Sequence, residues 1–323
     1  MAHTPHPLAT LSQIVAPPSL QDGIPKELEL ELRIGGCMMI QEAGIMLGLP
    51  QSTMATAQVI FHRFFYVSSM FSFGVNDISI SSLYLSSKLN ETPLRLRDLI
   101  NTYMFLTGRI KHLLSFPPDQ PLPLEGMSIR DKGKGKEKVW EDFEFEIPPF
   151  QSEVFWEWKD VIVVSEIQIL KRLGFNMQVD LPYNHVVNYC KILDLVQQDQ
   201  VVQTCWSILN DALLTPLYTH HPPHVLACTS ILLTTRLLRI PLPENWFLLF
   251  DVDYEDLVNA AGHIVALWKD WGTEAQRGVL KRKEESGADR IRRENRWRRV
   301  WILAQGRREV RRWVQDSADV LPA

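Results

Sequence analysis

Cysteine is scarce in this chain of 323 residues: four thiols, at Cys37, Cys190, Cys205 and Cys228. They are too few and too scattered for a disulfide framework. No two form a C-x-x-C, so no zinc site is expected, and a reducing compartment fits this usage. Apolar runs approaching the ~20 residues of a membrane span are absent. Residues 1–18 hold prolines and histidines but no basic region followed by an apolar core, so a secretory signal is not expected. A soluble, intracellular protein without a membrane partner is the expectation. Catalytic signatures are missing too: no G-x-S-x-G, no H-E-x-x-H and no kinase motif. No catalytic residue, metal or cofactor is therefore assigned. Convincing strand alternation is absent as well.

What is present is material for packed cores: 46% apolar residues, with ten Trp and fourteen Phe. That excludes a wholly disordered chain, and the length fits about two domains. Prolines (20) outnumber glycines (16), which points to linkers between compact parts. Charge is uneven. Residues 273–323 carry a net +6 and the remainder a net −10, within an overall −4. An acidic body with a basic tail can bind acidic partners or carry a nuclear address.

Helical periodicity dominates. Residues 1–26 read as a loose, disordered leader. Met39, Ile40, Ala43 and Leu47 then mark one buried helix face, and Ser52-Thr53 is placed to cap the next helix, which carries Val59, Phe61 and Phe65. Further helices are predicted over 77–89, 95–114 and 153–173, the last stopping at Gly174, a natural left-handed end. Between them lies an insertion, 115–150, proline-rich at its start. It also holds a basic run from Lys132 to Lys138 and an acidic-aromatic stretch from Glu141 to Glu146. The Gly-Lys run lacks the spacing and flanks of a phosphate-binding loop and reads as solvated. A second helical set follows over 183–195, 198–214, 222–238, 246–250 and 254–271.

The two sets resemble each other. Sliding the chain until Ser81 meets Thr229 lays Ser-Ser-Leu-Tyr-Leu-Ser-Ser-Lys-Leu over Thr-Ser-Ile-Leu-Leu-Thr-Thr-Arg-Leu, a conservative match at every position. Small residues let neighbouring backbones approach, which suits the central helix of a bundle. An all-α pair of similar bundles in tandem is the implied architecture.

Several stretches resemble the cyclin L family: Ala55-Thr56-Ala57-Gln58-Val59-Ile60-Phe61-His62-Arg63-Phe64-Phe65-Tyr66, Leu85 to Pro93, Arg95 to Asn101, Glu166 to Phe175, and Ile240 to Phe250. The resemblance spans about 17–271 apart from the insertion. It implies tandem five-helix cyclin boxes, over 27–175 and 180–272, with flexible termini and a basic C-terminal tail at 273–323. It also implies a nuclear, regulatory subunit that binds and activates a cyclin-dependent kinase of the transcriptional type. RNA polymerase II transcription and pre-mRNA splicing are the implied setting. By the family pattern, a Lys ending the third helix and a Glu in the fifth grip the kinase: here Lys88 and Glu166. Phe61, Leu85, Arg95 and Ile169 are candidate flanking contacts. Mammalian members end in a long Arg-Ser region, whereas residues 290–312 are Arg-rich without serine.

Other clusters read as structural. His220, His221 and His224 lack a local fourth ligand for zinc and fit a turn before a helix. Asp251, Asp253, Glu255 and Asp256 fail the calcium-loop pattern and fit a helix N-terminus. Cys205 and Cys228 fall on apolar faces. The tail interleaves Trp297, Trp301 and Trp313 with arginines. A solvated amphipathic helix is the leading reading, with an import signal or RNA binding by phosphate contact and stacking behind it. A competing reading of the whole chain is a nucleic-acid-binding protein like general transcription factor IIB, on the same paired-box fold. It calls for a basic body and a cysteine-rich leader, which this chain lacks.

Overall fold

A computed structural model describes residues 7–116, 143–149, 152–271 and 287–320. Among the described residues every regular element is helical, and none is long and apolar enough to cross a membrane. Two short helices come first, α1 (Leu11–Val15) and α2 (Pro18–Gln21). Thr10 and Gln13 close a capping box around α1. This segment, expected to be loose, is tied down from residue 9 onward. The Ala9 amide donates to the Thr219 carbonyl at 2.8 Å, the Met70 amide donates to Ser19 Oγ at 3.2 Å, and Ile24 is wholly buried. Its anchors are tertiary, which local composition does not report.

The first bundle consists of α3 (Lys26–Met46), α4 (Gln51–Phe64), α5 (Val75–Leu89), α6 (Leu96–Ser115) and α7 (Glu153–Arg172). Helix α5 is its axis and packs against the other four. Its Ser79, Ser81, Ser82, Ser86 and Ser87 are all buried. Small side chains allow the close approach, and most of their hydroxyls find acceptors nearby: Ser81 donates to the Asp77 carbonyl (2.7 Å) and Ser86 to the Thr53 carbonyl (2.6 Å). Gly36 on α3 serves the same end, because a methyl group there would overlap the Phe61 ring of α4. Helix α4 starts at Gln51 behind Pro50, not behind a Ser52-Thr53 cap; Thr53 is buried and bonds Thr92 Oγ1 at 3.1 Å. Helix α7 ends as expected, with Gly174 left-handed (φ 59°). Of the insertion, 115–116 and 143–149 lie within the described residues. There Phe143 and Phe145 pack edge-on against Phe105 of α6. The Lys132–Lys138 run lies outside them.

The second bundle holds α8 (Tyr183–Ile192), α9 (Val201–Ala212), the short α10 (Leu217–His220), α11 (Pro223–Leu238), a 3₁₀ turn (Trp246–Phe250) and α12 (Tyr254–Trp271). Helix α11 is its axis, again with buried Thr229, Ser230, Thr234 and Thr235. The helices matched by the internal repeat therefore occupy equivalent places.

Two further helices, α13 (Gly287–Ala304) and α14 (Arg307–Val320), complete the structure. They are not a solvated tail. Helix α13 lies on α3 and α6, and Trp297, Val300, Trp301, Leu303, Ala304 and Val310 join the first core. Arg296 and Arg299 both reach Glu31, at 3.1 and 2.6 Å. Trp297 and Trp301 are buried, so they have no face on which a nucleobase can stack. The Lys281-Arg282-Lys283 cluster lies outside the described residues.

Candidate functional site

The two residues singled out from the sequence meet. Lys88, in the last turn of α5, places Nζ 2.6 Å from Glu166 Oε1 on α7. The two helices pack closely, with Ser81 Oγ of α5 3.3 Å from the Ile162 carbonyl of α7. The Lys88 ammonium also stands 4.1 Å from the centre of the Tyr84 ring, one turn earlier. The lysine side chain is 47% exposed and the glutamate 14%. The carboxylate is thus largely covered, while the ammonium faces outward with donor capacity to spare.

Around this pair α7 is apolar on the wrong side for a solvated helix. Its buried stripe is Phe155, Ile162, Ser165 and Ile169. Val163, Val164 and Ile167 point away from the core and stay exposed, as does Leu89 beside Lys88. A helix in water places polar residues there. A charged couple within a rim of exposed aliphatics matches the anatomy of a protein interface better than that of a free surface.

The flanking candidates separate. Phe61 and Ile169 are wholly buried and Leu85 nearly so; all three belong to the first core and support the surface from beneath. Arg95 stands exposed at the N-cap of α6. Tyr84, Val163, Val164 and Ile167 were not picked out from the sequence. The signal was there in Val161-Ile162-Val163-Val164, since four consecutive apolar residues exceed what one helix face can bury.

The junction of the bundles is the other polar centre. Helix α4 serves both cores, with Ala55 and Val59 in the second. His62 Nε2 donates to the Leu213 carbonyl at 3.0 Å, and the Arg33 guanidinium donates to the His62 carbonyl at 2.8 Å. Burial, reinforced by Arg33, pushes His62 down to about 3. Tyr66 Oη and His220 Nε2 are 2.5 Å apart, and burial lowers His220 to about 4. Both histidines are neutral at neutral pH. His220 is an inter-bundle tie, and His221 Nδ1 faces Asp256 at 3.9 Å. Glu255 and Asp256 do occupy the first turn of α12. Cys205 is buried and bonds Thr234 Oγ1 at 3.2 Å, and Cys228 is buried too.

The sequence model of the cyclin N-terminal domain matches residues 11–113. Cyclin-L1 of Danio rerio is 35% identical over 271 residues, covering 82% of this chain and 48% of that protein. Cyclin-L1 of Gallus gallus is 34% identical over 253 residues (78% and 42%), and Homo sapiens Cyclin-L2 is 34% identical over the same length (78% and 43%). The chain thus spans somewhat under half the length of these relatives. Among solved structures, a chain of the yeast RNA Pol II CTD kinase CTDK-1 complex superposes with a TM-score of 0.61 at 15% identity, covering 89% of this chain and 81% of that one. A chain of the CAK complex from Chaetomium thermophilum superposes at 0.51, also at 15% identity, with coverage of 94% and 85%. At that identity both describe the fold alone.

Proposed function

This chain belongs to the cyclin L family, and on that premise we propose that it is the regulatory subunit of a nuclear cyclin-dependent kinase acting in transcription and pre-mRNA processing. It performs no bond chemistry itself. A protein kinase needs the Glu of its αC helix turned inward onto the catalytic Lys. A partner that touches only the inward state shifts the equilibrium by its differential affinity. The α5–α7 face supplies such a contact. Val163, Val164 and Ile167 bury against the moving helix while Lys88 and Glu166 bond its backbone ends.

The observation that carries this reading is the Lys88–Glu166 pair set among exposed aliphatics. The general-transcription-factor alternative needs a basic body, and residues before 273 are net negative. The test is affinity purification of tagged chain from native cells, with the kinase identified. Wild type is expected to recover a transcriptional cyclin-dependent kinase, and Lys88→Glu and Glu166→Arg to lose it while keeping their circular dichroism. Recovery of the same kinase by both variants would refute the assignment. Recovery of polymerase machinery with no kinase would favour the alternative.

A further inference from the structure

The proline-containing stretch Ile240 to Phe247 lines an open groove on the second bundle. The groove, of about 780 Å³, runs between the C-terminal end of α11, the 239–247 segment and the start of α12. That volume is within the ~300–1,000 Å³ range of binding clefts. Its lining is mixed: Leu232, Ile240, Leu242, Trp246, Phe247 and Tyr254 supply apolar surface beside Thr235, Asn245 and three charged side chains. Pro241 and Pro243 fix the backbone of one wall. Leu248 and Leu249, which follow Phe247 in the chain, are 61% and 70% exposed. An open groove that mixes apolar and charged lining suits a peptide better than a compact apolar small molecule.

Charge sets the polarity of the occupant. Arg236 and Arg239 stand exposed at one lip, and neither forms an ion pair with a carboxylate among the described residues. Arg239 closes α11 in the left-handed conformation (φ 58°), which turns the chain sharply at that lip. Glu244 is the single acid lining the groove. Guanidinium forks take carboxylates in bidentate fashion. We infer that this groove docks an acidic, apolar peptide of a partner protein, with its bulky side chains between Leu242 and Phe247 and a carboxylate on Arg236 and Arg239. The terminal helices α13 and α14 cover the first bundle, so they do not fill it. None of the groove's lining residues belongs to α5 or α7.

The test is selection of a random dodecapeptide library displayed on phage against the full chain, followed by fluorescence anisotropy on the enriched peptides. Enrichment of sequences pairing two or more bulky apolar residues with Asp or Glu is expected. Their affinity is expected to fall at least tenfold for Arg236→Glu/Arg239→Glu, with thermal melting and kinase co-purification unchanged, and likewise for Leu242→Asp with kinase co-purification unchanged. The kinase readout separates failure of this inference from failure of the kinase assignment. No enrichment, enriched peptides without an acid, affinities indifferent to these substitutions, or displacement of the peptides by single-stranded oligouridine at low salt would each overturn it.

Discussion

Lys88 and Glu166 contribute little to the fold on their own. A pair with one partner half exposed is worth about 0–1 kcal/mol. Covered by a partner and hydrogen-bonded, the same pair matters far more, because truncating one member costs roughly 2–5 kcal/mol of affinity. Charge reversal therefore separates binding from stability. At Lys88→Glu, isothermal titration with the purified kinase is expected to show that loss while Tm moves by no more than a degree or two. His62 and His220 behave oppositely, since they matter to stability and not to the surface. Their folded pKa values, about 3 and about 4, lie below the ordinary 6.5. The unfolded chain therefore binds more protons in acid. Stability is complete above pH 6.5 and is lost as pH falls toward 4, by up to ~1.4 kcal/mol per pH unit for each histidine. Urea midpoints at pH 7, 6 and 5 check this. A His62→Gln/His220→Gln variant is expected to show a shallower decline than wild type.

Among the elements, the long helices of both bundles were legible because apolar residues at three- and four-residue spacing fix the buried faces, and Gly174 marks a helix end, whereas the four-residue α10 is too short to show a period. The Ser- and Thr-rich axes α5 and α11 were legible because small residues in a helix otherwise lacking a polar face need close neighbours. The docking of α13 was not. Its arginines give a low mean hydropathy that masks the stripe Trp297, Val300, Trp301, Ala304. That stripe has helical spacing, and it was the available clue. Close approach makes the stripe specific: a methyl group on Gly35 would lie 2.9 Å from Val300 Cγ1. Trp301→Ala is expected to destabilise the protein by about 3 kcal/mol, the low end for a buried Trp, because its indole Nε1 has no partner in the wild type. Chemical denaturation measures the change, and a change under 1 kcal/mol would mean that α13 is only loosely attached.

For the molecule as a whole, the tandem architecture was readable from the internal repeat, but the coupling between bundles was not. That coupling runs through α4, whose Ala55 and Val59 lie in the second core while Ile60, Phe61 and Phe64 lie in the first. No periodicity argument distributes one helix between two cores. With a shared helix and the His62–Leu213 and Tyr66–His220 bonds across the junction, the bundles are expected to unfold together. Calorimetry at neutral pH should give one transition with matching calorimetric and van't Hoff enthalpies, whereas two resolved peaks would show independent boxes. A rigid pair of boxes also holds the α5–α7 face steady, which a partner needs if it is to hold a mobile helix in one pose. The central claim is that this face is where the kinase binds. Hydrogen exchange of the full chain with and without the co-purified kinase tests it most directly. Protection confined to the end of α5 and to α7 around Val163–Ile167 is the predicted footprint. Protection of the second bundle alone, with α5 and α7 exchanging as in the free chain, would contradict it.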